Sequence, residues 1–229
     1  MLATMRQTAQ LVDFFQTNGF KATYRKGDFI IRAEEPPPGV FYLLEGLVKA
    51  YDFTRYGEEN LLIIRKDHEL FPLIWGITGQ ERQVIYRALT TATTLRVNRD
   101  EFLKFLRRSP DVLAPLMDMT IEMYRLHSER IINLEYRTVR ERVISFLLTM
   151  AQRFGTEISE GILIESPLRH QDIASSINAS RETATRELLY LERKGLISKK
   201  GANLVLISLP QLQAYLGRSE RRKPTSNSA

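Results

Sequence analysis

The sequence has no cysteine among its 229 residues. This absence excludes disulfides, thiolate zinc sites, cysteine-ligated iron–sulfur clusters and cysteine nucleophiles together. The sequence also has no apolar run of about 18 residues, the length of a membrane span, and no apolar signal segment at its N-terminus. The three histidines, His68, His127 and His170, are scattered with no supporting cluster. We therefore expect a cytoplasmic protein with no membrane association, no bound metal and no cofactor.

The sequence is equally poor in the motifs of catalysis. It contains no glycine-rich phosphate loop, no GxSxG nucleophile motif and no HExxH zinc motif. These absences disfavour an enzyme.

The net charge of +6 is distributed unevenly along the chain. Residues 1–137 carry 19 basic and 18 acidic side chains, which leaves 14 basic and 9 acidic side chains for residues 138–229. A basic excess confined to the C-terminal part suggests that this part binds a polyanion. A solvated basic face without a partner is the alternative.

The N-terminal part has the pattern of an all-β domain. Between Phe20 and Val97, short apolar runs alternate with turn residues, as in a small sandwich or jelly-roll barrel. The clearest runs are Phe29–Ile31, Val40–Leu44, Leu47–Tyr51 and Leu61–Ile64. We assign residues 1–108 to a β-barrel domain.

After Asn98, a good helix N-cap, the apolar period changes from two to about 3.6. A long helix is predicted to end near Tyr136, and its apolar positions recur in alternating steps of four and three, as in a coiled-coil seam. We assign residues 109–137 to a dimerisation helix, although an amphipathic helix packed on its own domain is also compatible with this period. The seam positions are Leu113, Met117, Thr120, Tyr124, His127, Ile131 and Leu134.

Residues 138–217 predict a winged helix-turn-helix domain. A helix over Val139–Phe154 precedes a short helix over Leu168–Ile177, a turn at Asn178 and a second helix that Ser180 caps. Two β-branched runs around a basic segment with Lys199 and Lys200 then form a hairpin, the wing. Residues 218–229 are polar, have no large apolar side chain and are expected to be disordered.

The second helix leaves four polar side chains on its outer face, namely Arg181, Glu182, Thr185 and Arg186. Arginine can donate two hydrogen bonds to guanine, and glutamate can accept one from cytosine, so these groups suit base readout in the major groove. An exposed helix stabilised by a Glu182–Arg186 ion pair is the structural alternative. The residues expected to contact the DNA backbone are Ser180, Arg169, Lys199 and Lys200.

The segment Ser180–Arg186, with Lys194–Ile197 behind it, closely resembles the recognition helix and wing of the Crp/Fnr family of bacterial transcription regulators. Phe41–Lys49 resembles the sensor-barrel signature of that family, and His127–Arg130 falls where its dimer helix runs. The resemblance implies an α+β fold: an N-terminal β jelly-roll sensor domain like those that bind cyclic nucleotides, a long dimerisation helix and a C-terminal winged helix-turn-helix. It also implies a homodimer on double-stranded DNA, a pseudo-palindromic operator with TGTGA-like half-sites and contact with RNA polymerase.

The same resemblance locates a possible effector pocket. Cyclic-AMP-binding members hold the ribose with a Gly-Glu pair and the phosphate with an arginine that Ser or Thr follows. Here Arg82 stands in the arginine position, but Gln83 follows it, and Phe71-Pro72 replaces the Gly-Glu pair. On the dimer helix, His127 and Ser128 correspond to the residues that meet the base, although His127 is equally compatible with a place in the seam. We expect an effector other than cyclic AMP, or none. The alternative function is a cyclic-nucleotide-binding module that regulates a partner protein.

Overall fold

The computed structural model describes residues 2–220, with side chains from residue 9 to residue 217. The chain divides into two compact units, residues 1–126 and 127–229. Together the two units contain the parts of the predicted α+β architecture, namely a β-rich N-terminal domain, a long helix and a C-terminal helix-turn-helix domain. Within residues 2–220, no helix is long and apolar enough to cross a bilayer.

The first unit is built on two four-stranded antiparallel sheets. One has the strand order β1-β8-β3-β6 and the other the order β2-β7-β4-β5. The strands are β1 (Phe20–Tyr24), β2 (Phe29–Ile31), β3 (Val40–Glu45), β4 (Val48–Phe53), β5 (Glu59–Arg65), β6 (Leu70–Phe71), β7 (Ile85–Ala88) and β8 (Ala92–Val97). Two such sheets that share one core form the jelly-roll arrangement predicted from the alternation of apolar runs and turns.

A column of stacked rings lies in this core. Phe71 lies between Phe41 and Tyr86, with ring centroids 5.2 Å and 4.9 Å apart and planes nearly parallel. All three rings are buried among the aliphatic residues of both sheets. Aromatic pairs at this spacing stabilise a core beyond the area they bury.

Three helices pack around the strands. They are α1 (Leu2–Asn18), α2 (Leu73–Thr78) and α3 (Arg99–Arg108). Neither α1 nor α2 was predicted from the sequence. The predicted cap of α3 is confirmed, because the Asn98 side chain accepts a hydrogen bond of 2.8 Å from the Asp100 amide.

A short 3-10 helix (Pro110–Val112) leads into α4 (Leu113–Tyr136), the predicted long helix. One face of its first half packs on the barrel through Leu116, Met119, Met123 and Leu126. In its second half, which belongs to the second unit, Asn133 Nδ2 donates a hydrogen bond of 2.8 Å to Ser145 Oγ. Each half of the helix is therefore anchored within its own unit.

The second unit combines four helices with one antiparallel sheet of order β11-β12-β10-β9. The helices after α4 are α5 (Val139–Phe154), α6 (His170–Ser176), α7 (Arg181–Arg193) and α8 (Leu209–Glu220), and the strands are β9 (Gly155–Ile158), β10 (Gly161–Ile164), β11 (Ile197–Lys200) and β12 (Asn203–Leu206). Strand β9 and helix α8 were not predicted. Because α8 continues to Glu220, the tail expected at residues 218–229 begins too early, and residues 221–229 lie outside the described part of the chain.

The predicted hairpin forms, but the position predicted for its lysines was wrong. Lys199 and Lys200 lie in strand β11, opposite Leu204 and Asn203 of β12. The turn itself is shorter than predicted and contains Gly201, whose φ of 63° is in the left-handed region that suits glycine. The two lysines therefore lie on a paired strand and not in the loop.

Thr138 stabilises the start of α5 through a capping box. Its Oγ1 accepts from the Glu141 amide at 3.4 Å, and its own amide donates to Glu141 Oε2 at 2.9 Å. Replacing Thr138 by Ala should destabilise α5 by about 0.5–2 kcal/mol, because one amide of the first turn loses its acceptor. Hydrogen exchange of the α5 amides measures the loss. Thr138→Ser keeps the oxygen and is the matched control; equal loss of protection in both variants would contradict the capping role.

Candidate nucleic-acid interface

The helix-turn-helix is formed by α6 and α7. Asn178 lies in the predicted turn between them with φ of 50°, a left-handed conformation that asparagine tolerates. The Ala179 amide then donates to the Ala174 carbonyl at 3.1 Å, which closes the turn. Ala174 is buried, and its small side chain lets the two helices approach closely. Local backbone chemistry therefore fixes the direction of α7.

Helix α7 has one buried face and one exposed face. Its buried residues are Ala184, Leu188 and Leu191. The predicted cap is confirmed, since Ser180 Oγ accepts from the Thr183 amide at 3.1 Å. The Ser180 hydroxyl also donates to Thr183 Oγ1 at 3.0 Å. The Ser180 hydroxyl is thus engaged within the cap. The free backbone amides in the first turn of α7 are better suited than this hydroxyl to bind a phosphate.

The exposed face of α7 brings the four predicted base-reading residues together. Arg181, Glu182, Thr185 and Arg186 line one shallow groove, which Leu189 and Arg193 extend. The Arg186 side chain is 71% exposed, and its Nε lies 4.0 Å from Glu187. This is a weak contact for an exposed arginine, so its guanidinium is available for a ligand. The groove therefore presents guanidinium groups, a carboxylate and a hydroxyl on one exposed face.

Thr185 differs from the other three because it is only partly exposed. Its hydroxyl lies 2.9 Å from Nδ1 of His170, the first residue of α6. No role was predicted for His170 from the sequence. The spacing of apolar residues along one helix does not indicate a polar contact between side chains on two different helices.

The predicted backbone-contacting residues lie in the same unit as this groove. Arg169 is exposed and precedes α6. Lys199 Nζ lies 3.7 Å from Glu192, and Lys200 Nζ lies 3.5 Å from Glu160. These are solvent-exposed ion pairs of small energy, so both lysines can exchange partners at little cost.

A second groove, which the sequence analysis missed, adjoins the N-terminus of α5. Its lining includes Thr138, Arg140, Arg186 and Tyr215. Arg140 Nε donates to Glu187 of α7 at 2.7 Å, and its guanidinium lies 3.7 Å from the centre of the Tyr190 ring. The hydrogen bond to Glu187 raises the pKa of Arg140 above its ordinary value. This contact ties α7 to α5, in addition to the His170–Thr185 contact that ties α7 to α6.

The residues predicted to form an effector pocket differ in how exposed they are. Arg82 and Gln83 are exposed in the segment before β7. Phe71 is fully buried in the ring column, and its place in an effector pocket stays a prediction. His127 and Ser128 are partly buried residues of α4.

The barrel also contains a buried charge that was not predicted. Arg65 is 6% exposed, and its Nη1 lies 3.4 Å from Glu69 Oε2, while its Nε has no hydrogen-bond partner among the described residues. Burial raises the pKa of the neighbouring Tyr86, and the positive charges of Arg65 and Arg82 oppose that rise.

No group of three or more His, Cys, Asp or Glu side chains in the described range is arranged to hold a metal ion.

Two family models match this chain. A cyclic nucleotide-binding domain matches residues 21–109, and a Crp-like helix-turn-helix domain matches residues 141–215. They cover the barrel and the domain that carries the groove on α7.

Proteins of known role are similar over most of the chain. The Global nitrogen regulator of Nostoc sp. is 30% identical over 179 residues, which are 77% of this chain and 80% of that protein. The CRP-like cAMP-activated global transcriptional regulator of Mycobacterium tuberculosis is 24% identical over 90% of this chain and 87% of its own length. The solved structure of the c-di-GMP-responsive global regulator CLP of Xanthomonas campestris superposes with a TM-score of 0.73 at 19% identity, covering 87% of this chain and 99% of that chain. These relatives are transcription regulators and not enzymes, as the sequence predicted, and the chain belongs to the Crp/Fnr family of transcription regulators.

Proposed function

We propose that the chain is a homodimeric regulator that binds a pseudo-palindromic operator through α7 and is not controlled by cyclic AMP. The observation that carries this proposal is the exposed face of α7, where Arg181, Glu182, Thr185 and Arg186 share one groove. Such a regulator acts in the cytoplasm, where the chromosome and RNA polymerase, its proposed protein partner, are found.

The groups on this face suit particular bases. Arg181 and Arg186 can each donate two hydrogen bonds to guanine O6 and N7, and Glu182 can accept from cytosine N4. By resemblance to family members with the pattern Arg-Glu-x-x-x-Arg, each half-site should be similar to TGTGA. Lys199, Lys200 and Arg169 contribute charge that does not depend on the base sequence.

Arg186→Ala should weaken operator binding by about 1–3 kcal/mol and relax the preference at one base position, because a bidentate contact to one base is lost. Lys200→Ala should weaken binding to all sequences alike and reduce the salt dependence, because it removes a phosphate contact. Electrophoretic shifts with single-base operator variants at several salt concentrations separate the two effects. An Arg186→Ala protein with unchanged base preference would show that α7 does not read the operator.

The proposed dimer rests on the outer face of α4. Its exposed apolar residues are Leu113, Met117, Ile121, Tyr124, Ile131, Ile132 and Tyr136. Seven exposed apolar side chains on one helix of 24 residues are costly to leave in water. A second copy of the same helix fits them best, because four of them, Leu113, Met117, Tyr124 and Ile131, are predicted heptad positions and a two-fold axis pairs like with like. Of the other seam positions, Leu134 is half-buried, and Thr120 Oγ1 donates to the Leu116 carbonyl at 2.8 Å.

Changing Met117 and Ile131 together to Glu should give monomers, because four carboxylates would then meet in one apolar seam. These side chains are 59% and 62% exposed, so the substitutions do not disturb the core of either unit. Phe20→Glu, at a site 64% exposed on strand β1, is the matched control and should remain dimeric. Light scattering gives the mass, and a double variant that stays dimeric would exclude this seam.

The absence of cyclic-AMP control is supported by the residues at the ribose position. Phe71 is buried in the ring column, and Pro72 offers neither a carboxylate nor an amide proton. Arg82 retains the charge for a phosphate, but a ribose hydroxyl would lose its hydrogen bonds to water without a replacement. Each such loss costs about 1–3 kcal/mol, and each 1.4 kcal/mol is about tenfold in affinity.

Calorimetric titration with cyclic AMP should therefore show no saturable binding near about 1 μM, and operator affinity should be equal with and without the nucleotide. The Mycobacterium tuberculosis relative, whose name describes it as cAMP-activated, is the positive control under the same conditions. Micromolar binding that tightens the operator complex, and that Arg82→Ala abolishes, would overturn this part of the proposal.

A further inference from the structure

The hydrogen bond between His170 and Thr185 joins the first helix of the helix-turn-helix to a side chain of the reading face. His170 Nδ1 lies 2.9 Å from Thr185 Oγ1, and both residues are partly buried. Thr185 lies one turn after Arg181 and directly before Arg186, and it lines the same groove. Whatever controls its hydroxyl group therefore controls one of the four polar groups that face the DNA.

The direction of this hydrogen bond decides what Thr185 can offer to a base. A hydroxyl has one hydrogen to donate and two lone pairs to accept with. When the neutral imidazole carries its proton on Nε2, Nδ1 accepts the hydroxyl hydrogen, and Thr185 faces the groove only as an acceptor. When the imidazole is protonated, Nδ1 donates to the hydroxyl oxygen, and the hydroxyl hydrogen is free to point into the groove.

The two states of Thr185 match different bases. An acceptor suits the amino groups of adenine N6 and cytosine N4, whereas a donor suits thymine O4 and guanine O6. The same side chain can thus favour opposite members of a base pair, depending on the proton of a neighbouring residue.

The charged groups that act on His170 lie on α7 and on β11. Burial, followed by the positive charges of Lys199 and Arg181, lowers the pKa of His170 below its ordinary value, while Glu192 acts in the opposite direction. The imidazole is therefore neutral at neutral pH in the free protein, and it gains its proton only in mild acid. DNA phosphates at the groove would favour the protonated form and bring the change closer to neutral pH.

We propose that His170 is a positioning residue that determines base specificity, because it sets whether the Thr185 hydroxyl faces the operator as an acceptor or as a donor. This inference rests on the proposed function, since it needs α7 to read DNA. It predicts that the operator preference changes with pH at one base position in each half-site.

The test is selection of binding sites from a random double-stranded DNA pool by the full-length protein, at about pH 6 and at about pH 8 and at constant salt. At the position that Thr185 reads, adenine or cytosine should be enriched at the higher pH, and guanine or thymine at the lower. The ratio of adenine and cytosine to guanine and thymine at this position should change by about threefold to tenfold between the two pH values, which corresponds to the free energy of one hydrogen bond. The other positions should keep their preferences.

Three variants separate this role from simple packing of α6 on α7. His170→Asn keeps a polar partner near the Nδ1 position but does not titrate, so it should bind the operator with a preference that is independent of pH. His170→Ala leaves the hydroxyl free to rotate, so it should lose discrimination at this position. Thr185→Val keeps the shape but removes the hydroxyl, and in its presence the His170 substitutions should have no further effect on base preference.

The results have distinct meanings. A pH-dependent preference at one position that both His170→Asn and Thr185→Val abolish would support the proposal. Enrichment of the same operator at both pH values by the wild type would overturn it and leave the proposed function intact. Enrichment of no operator at either pH would instead contradict the proposed function itself.

Discussion

The proposed base-reading face of this protein depends on the burial of one stripe of α7. Ala184, Leu188 and Leu191 are the apolar side chains that hold this helix against the rest of its unit. Because they recur at steps of three and four, their burial forces Arg181, Glu182 and Arg186 to the opposite side. Any substitution that rotated the stripe would turn the polar groups away from the groove. The position of the reading face is therefore a consequence of core packing.

Polar contacts fix the position of α7 more closely than the burial of its apolar stripe does. Burial sets which face of α7 points outward, but it leaves the helix free to slide or tilt slightly, because hydrophobic contact has little direction. The Arg140–Glu187 hydrogen bond fixes α7 to α5, and the His170–Thr185 contact fixes it to α6. Groups that read bases have to be held within a fraction of an ångström, so these directional contacts matter more for specificity than for stability.

The sequence predicts those helices and strands that have a clear apolar period or a capping residue. The bounds of α5 and α7 and the end of α4 were predicted, because long amphipathic helices have a strong apolar period and Ser180 marks the start of α7. Strand β9 was missed because its four residues, three of them exposed, show no alternation. Helix α1 was missed although Leu11 and Phe15 lie one turn apart and are fully buried, because no capping residue marks its start. The side-chain contact of His170 joins residues on two different helices, and no pattern along one element records it.

The barrel shows why resemblance predicted its fold better than its site. The two sheets need only apolar residues at alternate positions, and many sequences satisfy that condition. A ligand site needs particular polar groups, and Phe71-Pro72 differs from the Gly-Glu pair expected in cyclic-AMP-binding members. Phe71 belongs to the ring column, while the interior charge comes from Arg65 on β5. A guanidinium buried with an unpaired Nε is expensive unless other groups compensate for it, and Glu69 and Tyr86 are the groups that interact with it. The apolar pattern of the strands thus predicts the sheets but not the charge buried inside the barrel.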